Sequence, residues 1–217
     1  MVAAVTEQLL GDQAGRHMLI PGRQAGVTLM ELIIALAIAA SLMAMAVPSF
    51  SNWLAGARVR GSAESLLAGA QLARSEAVKR NAQVRFQLTS TADNSCALSA
   101  SGNNWIISLD DPSGACAAAP HATTAPRIIQ SRSGSEGTST VVVAATAGTT
   151  PASLLRFNGL GQVVAPSSGF AVRLSLPSAG SCRAAGGDLR CLEVRVSAAG
   201  QVKMCDPALP ASDPEGC

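Results

Sequence analysis

Gly26-Val27-Thr28-Leu29-Met30-Glu31 opens the stretch that decides the architecture. A charge-free, overwhelmingly apolar run over residues 32–47 follows, and Pro48 ends it. The segment 27–47 is long enough to cross a bilayer, which takes about 20 apolar residues. Its single carboxylate, Glu31, sits near one end. A charge in hydrocarbon costs at least ~2.5–3.5 kcal/mol on insertion scales, so an acid there calls for a partner. A cut after Gly26 would supply one. The new α-amine at Val27 would be positively charged near neutral pH. Glu31 would lie about one helical turn away, and the pair would form best between neighbouring subunits.

The stretch from Gly26 to Leu32 resembles the type III, or prepilin, signal of type IV pilins and type II secretion pseudopilins. The resemblance implies a prepilin peptidase that cuts between Gly26 and Val27 and N-methylates Val27. It places the family's assembly residues at Thr28 and the acid Glu31, and its helix-softening proline at Pro48. The first mature residue is usually Phe in that family and is Val27 here. Two other readings stay open. Ala44-Met45-Ala46 is a small-residue site of the secretory type, although Glu31 would interrupt the apolar region of such a signal. A plain transmembrane anchor is the second.

Residues 1–26 read as a leader without apolar periodicity. Met1 and Met18 are both possible starts, and Met18 would give a compact leader whose one basic residue is Arg23. The full division is leader 1–26, membrane and assembly half of a helix 27–48, amphipathic half 49–82, and a β-rich head 83–217.

Composition supports that division. The chain has 217 residues and a formal net charge of +2, so it carries no strong charge bias toward nucleic acid or membrane lipid. Aromatics make up 3% and Tyr is absent, so a core must rest on Val, Leu, Ile and Ala. Past Pro48, Phe50, Trp53, Leu54, Ala57, Gly61, Leu66, Ala70, Ala73 and Ala77 recur mostly three and four apart. That is a helical stripe, expected to run to about Asn81. Glu76 and Arg80 form an i,i+4 pair.

From residue 83 the period becomes two. Candidate strands are 84–88, 105–109, 140–143, 154–157, 170–176, 192–197 and 201–204, with 192–197 the cleanest half-buried alternation. Loops fall at 111–126, 131–139, 144–152 and 177–187, of which 111–126 is the longest and least patterned. The expected fold is α+β and pilin-like: a long N-terminal helix, transmembrane in its first half, packed on an antiparallel β-sheet head. Residues 154–163 and 192–205 each read strand, glycine turn, strand. Both resemble the C-terminal half of the GspH/FimT family of minor pilins and pseudopilins. That resemblance implies a low-abundance structural subunit that helps initiate or cap a fibre.

Cys96, Cys116, Cys182, Cys191, Cys205 and Cys217 all follow the apolar segment, as expected for a head in an oxidising compartment. They allow 15 connectivities. The sequence-local scheme pairs Cys96–Cys116, Cys182–Cys191 and Cys205–Cys217, each contributing ~2–4 kcal/mol.

Nothing in the sequence assembles a catalytic site, a cofactor motif or a metal site. His121 lies in an Ala/Thr/Pro loop and reads as a solvated residue. Asp110-Asp111 reads as a turn start, with a weak calcium contact as the other option. The resemblance does carry a second function, DNA capture, through basic residues in a Gly-Arg-x-Arg turn. Gly200-Gln201-Val202-Lys203 stands at the matching place with one arginine replaced by Gln201 and the other by Lys203. Arg190, Arg195 and Lys203 are the candidate phosphate contacts. The implied partners are therefore other pilins or pseudopilins in a helical fibre, the prepilin peptidase/methyltransferase, inner-membrane lipid, and, in the second reading, DNA. The implied location is the bacterial inner membrane with the head in the periplasm, and later the fibre.

Overall fold

The computed structural model describes residues 26–134 and 140–217. Residues 1–25 of the leader, with Met18, lie outside the described residues, as do the Pro48 side chain and residues 135–139 of the expected loop 131–139. The chain divides into two compact units, Met1–Ala44 and Met45–Cys217.

Helix α1 runs Leu29–Arg80. Its start follows from local chemistry. Thr28 precedes the first helical residue, and its Oγ1 accepts the Glu31 amide at 3.2 Å, which satisfies one of the otherwise unpaired donors of the first turn. Residues 26–45 are exposed along their length. Ser41, the one hydroxyl in the apolar run, donates to the Ile38 carbonyl at 2.8 Å, so it does not leave a bare polar group in an apolar setting. At the other end Lys79 and Arg80 lie in the last turn, where cations suit the helix dipole. Both pair with Glu76, at 3.4 and 2.7 Å.

Within the second unit the helix buries the expected stripe from Leu66 on and a different line before it. Ala55, Val59, Ala63, Leu66, Ala70, Ala73 and Ala77 are buried. Phe50, Trp53, Leu54, Ala57 and Gly61 are exposed. The reason is close packing: small side chains let the helix approach the sheet. At Gly69 a Cβ would stand only 2.8 Å from Phe86 and 3.1 Å from Trp105. Trp105 Nε1 donates to Ser65 Oγ at 3.0 Å, which satisfies the buried indole.

The head holds two five-stranded antiparallel sheets where one was expected. The first comprises β1 (Val84–Thr89), β2 (Asn104–Ser108), β3 (Ile128–Arg132), β6 (Leu154–Phe157) and β7 (Val163–Ala165), in the order β3-β2-β1-β6-β7. The second comprises β4 (Val142–Ala147), β5 (Thr150–Pro151), β8 (Phe170–Ser175), β9 (Leu192–Val196) and β10 (Val202–Cys205), in the order β10-β9-β8-β4-β5. The helix line packs with Phe86, Leu88, Leu155 and Phe157 of the first sheet and Val143, Val172, Leu174 and Val194 of the second in one apolar core.

Several expectations are corrected. Strand β3 stands where a loop was expected from residue 131. It is an edge strand whose residues beyond Ile129 are exposed and polar, so it has no alternating pattern. Strand β4 is shifted from 140–143 to Val142–Ala147, and β5 falls inside the expected loop 144–152. Alanine is a poor strand former, but five-residue pairing with β8 holds the segment extended. Strand β1 is not half-buried: Gln87 and Thr89 are as buried as Phe86. The loop region after β1 folds back over the outer face of the first sheet and makes a second small core of Cys96, Cys116, Ile106 and Ile128.

All three sequence-local disulfides are present: Cys96–Cys116, Cys182–Cys191 and Cys205–Cys217. The first closes the long 111–126 loop onto the sheet. That loop is also fixed at its base, where Arg127 meets Asp110 through two bonds of 2.6 and 2.7 Å. The hydrogen bond from Arg127 holds the Asp110 carboxyl below the usual aspartate range, against a smaller opposing effect of desolvation. A carboxyl lowered on folding stabilises above its unfolded value, and the gain is lost as pH falls through the folded value. The protection factors of the Leu109 and Asp110 amides, whose N–H groups bond the Arg127 and Pro126 carbonyls, corrected for the intrinsic pH dependence of exchange, should therefore be steady near neutral pH and fall on acidification. In Arg127→Ala the Asp110 titration followed by NMR should move up toward the ordinary aspartate value. An unmoved titration would contradict the pairing.

Candidate functional site

Two regions collect the residues singled out by sequence. The first is the N-terminal tip. Gly26 and Val27 precede the helix, Val27 is 73% exposed, and Thr28 caps the first turn. Thr28-Leu29-Met30-Glu31 has the spacing of a capping box, with threonine before the helix and an acid three residues on. The sequence pattern contained this box, and the reading for assembly residues passed over it. Glu31 is the acid of the first turn, where its charge also complements the helix dipole. Among the described residues, α1 is long and apolar enough to cross a membrane.

The second region is the β9–β10 hairpin. Lys203 stands directly opposite Arg195 across the strand pair. The two line one cavity together with Arg173, whereas Arg190 lines another beside Trp53 and Arg60. The structure thus brings Arg195 and Lys203 together and sets Arg190 apart. Each is engaged within the chain, Lys203 by a neutral carbonyl and Arg195 by a carboxylate that it shares with Arg173. Arg195 donates to Glu193 Oε1 at 2.6 Å and to the main-chain oxygen of Cys217 at 2.6 Å. Lys203 donates to the Gly216 carbonyl at 3.0 Å. Arg190 bonds Asp206 at 2.9 Å and Glu215 at 2.5 Å, and these bonds, Glu215 first, raise its guanidinium further above its ordinary value.

Glu193 is the residue that sequence reading missed. The alternation of β9 put it on the solvent side, yet it is 3% exposed. Arg173 and Arg195 close over it from either side, and a buried carboxylate requires such pairing. The tail after β10 returns across the same face, tied by Cys205–Cys217. No local pattern announces that return.

The remaining candidates resolve into turns. Asp111 Oδ1 accepts from the Ser113 amide and hydroxyl at 3.0 and 2.7 Å, so it starts a turn. His121 Nδ1 accepts from the Thr123 and Thr124 amides at 3.2 and 2.9 Å and is exposed. Among the described residues, no cluster of His, Cys, Asp or Glu could hold a metal ion.

Residues 62–200 match the family model described as type II transport protein GspH. Residues 21–47 match the prokaryotic N-terminal methylation motif. No curated protein matches the sequence. Among solved structures the chain is similar to the type IV minor pilin FimU of Pseudomonas aeruginosa, with 20% identity and a TM-score of 0.45, over 73% of this chain and 94% of that one. It is similar also to Escherichia coli GspH in solution, with 13% identity and a TM-score of 0.41, over 70% and 91% of the two chains. With its head matched across both sheets and its N-terminus matched by the methylation motif, the chain belongs to the GspH family of type II transport proteins.

Proposed function

We propose that this chain is a minor structural subunit of a type IV pilus or type II secretion pseudopilus, one that helps to start or cap the fibre. The observation that carries this reading is the exposed, capped apolar helix with one acid in its first turn, joined to a family head. In this reading the leader 1–26 is removed between Gly26 and Val27, and Val27 is N-methylated. Residues 27–48 are held in the inner membrane before assembly, residues 49–82 support the head, and the head 83–217 lies in the periplasm. Three disulfides suit that oxidising compartment. Phe50 and Trp53 stack at 5.9 Å just beyond the apolar run and are exposed. Aromatic rings favour the headgroup level of a bilayer, which suits a stored subunit whose membrane segment ends there.

Glu31 is the assembly residue. Its carboxylate meets the α-amine of Val27 on a neighbouring subunit and sets the register between helices. Pro48 removes one helical hydrogen bond and so eases local loosening during assembly. The test is N-terminal peptide mass spectrometry on protein recovered from membranes of the native host. The expected peptide begins at N-methylated Val27, and Gly26→Val should leave the leader uncut. A wild-type peptide beginning at Val47, or an uncut leader, overturns the reading.

A further inference from the structure

The outer face of the second sheet carries a cavity of about 660 Å³, within the range of ligand sites. Its floor is low, because Ala144, Ala171 and Gly169 line it. Arg173, Arg195 and Lys203 also line it, and the buried Glu193 is the one acid among the lining residues. The arrangement is expensive to hold. Arg195 and Lys203 are directly opposed like charges, which destabilise a strand pair. Glu193 accepts from Arg173 at 3.2 Å and from Arg195 at 2.6 Å, and so fixes both guanidinium groups in place. Lys203 spends one of its three ammonium donors on Gly216. Positive charge is left in excess over a smooth strip of sheet.

The chain itself displays what such a face accepts. The segment after β10 lies against the hairpin and puts main-chain oxygens of Gly216 and Cys217 on Lys203 and Arg195. Peptide-chain oxygens therefore fit at one end of the strip, and the excess positive charge there calls for carboxylates beyond them. We propose that the cavity is a binding site for an acidic peptide segment of a partner protein, whose carboxylates meet Arg173, Arg195 and Lys203 beside the chain's own tail. A nucleic acid is disfavoured by the lining. The one aromatic residue there, Phe170, is buried and offers no ring face on which a base could stack. The site does not depend on the fibre reading.

The test uses the full oxidised chain in a non-ionic detergent. The probe is a short fluorescein-labelled peptide of alternating Glu and Gly. It should bind saturably at low salt and weaken as salt rises. Arg173→Ala and Lys203→Ala should each weaken it about tenfold, with unchanged circular dichroism. Arg58→Ala, on the helix, should leave it unaltered. The matching Lys-Gly peptide should not bind. Absence of binding by wild type at low salt overturns the proposal. So does a single-stranded oligonucleotide of equal charge that binds more tightly through the same residues, or equal loss on Arg58→Ala.

Discussion

Replacing Glu31 with Gln is expected to leave cleavage after Gly26 intact and to cut the amount of chain recovered in fibres by tenfold or more. The choice of Gln matters. Glu31 does two things at the helix start that a simple deletion would confound. Its main-chain amide donates to Thr28 Oγ1 at 3.2 Å, and its side chain stands at the acid position of a capping box, where Gln serves as well as Glu. Its charge is the other contribution. Gln retains the cap and loses only the charge. Close charge pairs out of water couple by about 1.5–7 kcal/mol where measured in interfaces, and 1.4 kcal/mol is already tenfold. An unpaired carboxylate also burdens the membrane-stored subunit. Removing it therefore relieves the stored state while weakening the assembled one, and both shifts oppose incorporation. Thr28→Ala is the complementary variant: it weakens the cap by about 1 kcal/mol and keeps the charge, so fibres should form. The measurement is the subunit content of sheared fibres against membranes. Normal incorporation of Glu31→Gln with loss in Glu31→Ala would make Glu31 a helix-capping residue and end the pairing.

The helix was legible because its signals are local. A charge-free run, a proline, and apolar or small residues at threes and fours need no tertiary context. Its buried line was legible only from Leu66 on. Phe50, Trp53 and Leu54 carry the larger apolar surfaces, yet Ala55, Val59 and Ala63 face the core, because the helix approaches the sheets closely enough to favour small side chains. The strands with strong β-formers, β6, β8 and β9, were found nearly to the residue. Strands β3 and β4 were missed or displaced, since Gln130-Ser131-Arg132 and Ala144-Ala145 carry little propensity and are extended by their neighbours. Burial of Gln87 and Glu193 was invisible for a shared reason. Each is covered from outside its own strand: Gln87 lies opposite Ile106 on the face closed by the Cys96–Cys116 segments, and Glu193 lies beneath Arg173 of the neighbouring strand, with Arg195 on its other side. The same fact governs the basic candidates. Arg190 reads as a free cation only until Asp206 and Glu215 of the tail return to meet it, whereas Arg195 and Lys203 meet only main-chain oxygens of that tail.

Gly200→Ala is expected to destabilise the head by about 3 kcal/mol or more, and the reason lies where the two glycine turns meet. Gly200 has φ +78°, and a Cβ there would stand 1.9 Å from the Gly161 carbonyl oxygen. That oxygen already accepts from Arg74 Nε of the helix at 3.1 Å. Val163 N–H bonds the Ala198 carbonyl at 3.0 Å, which ties the same two turns together. A left-handed backbone costs a non-glycine residue roughly 1–2 kcal/mol. The contact adds to this, because its near atom is main chain held from a third side by Arg74 and cannot swing aside. Gly148→Ala separates the two effects. Its φ of +61° carries the backbone cost, but the nearest neighbour, Ser168, is 3.8 Å away, so only about 1–2 kcal/mol is expected. Urea unfolding of the full chain in detergent, disulfides intact, reads both values if the slope with denaturant is unchanged. Each 1 kcal/mol should lower the melting temperature by about 2–4 °C in a chain of this size. Equal costs at positions 148 and 200 would mean that the turns do not brace each other. A clear excess at 200 means that the two strand–glycine–strand units form one joint with the helix. Only glycine at 200 lets that joint close.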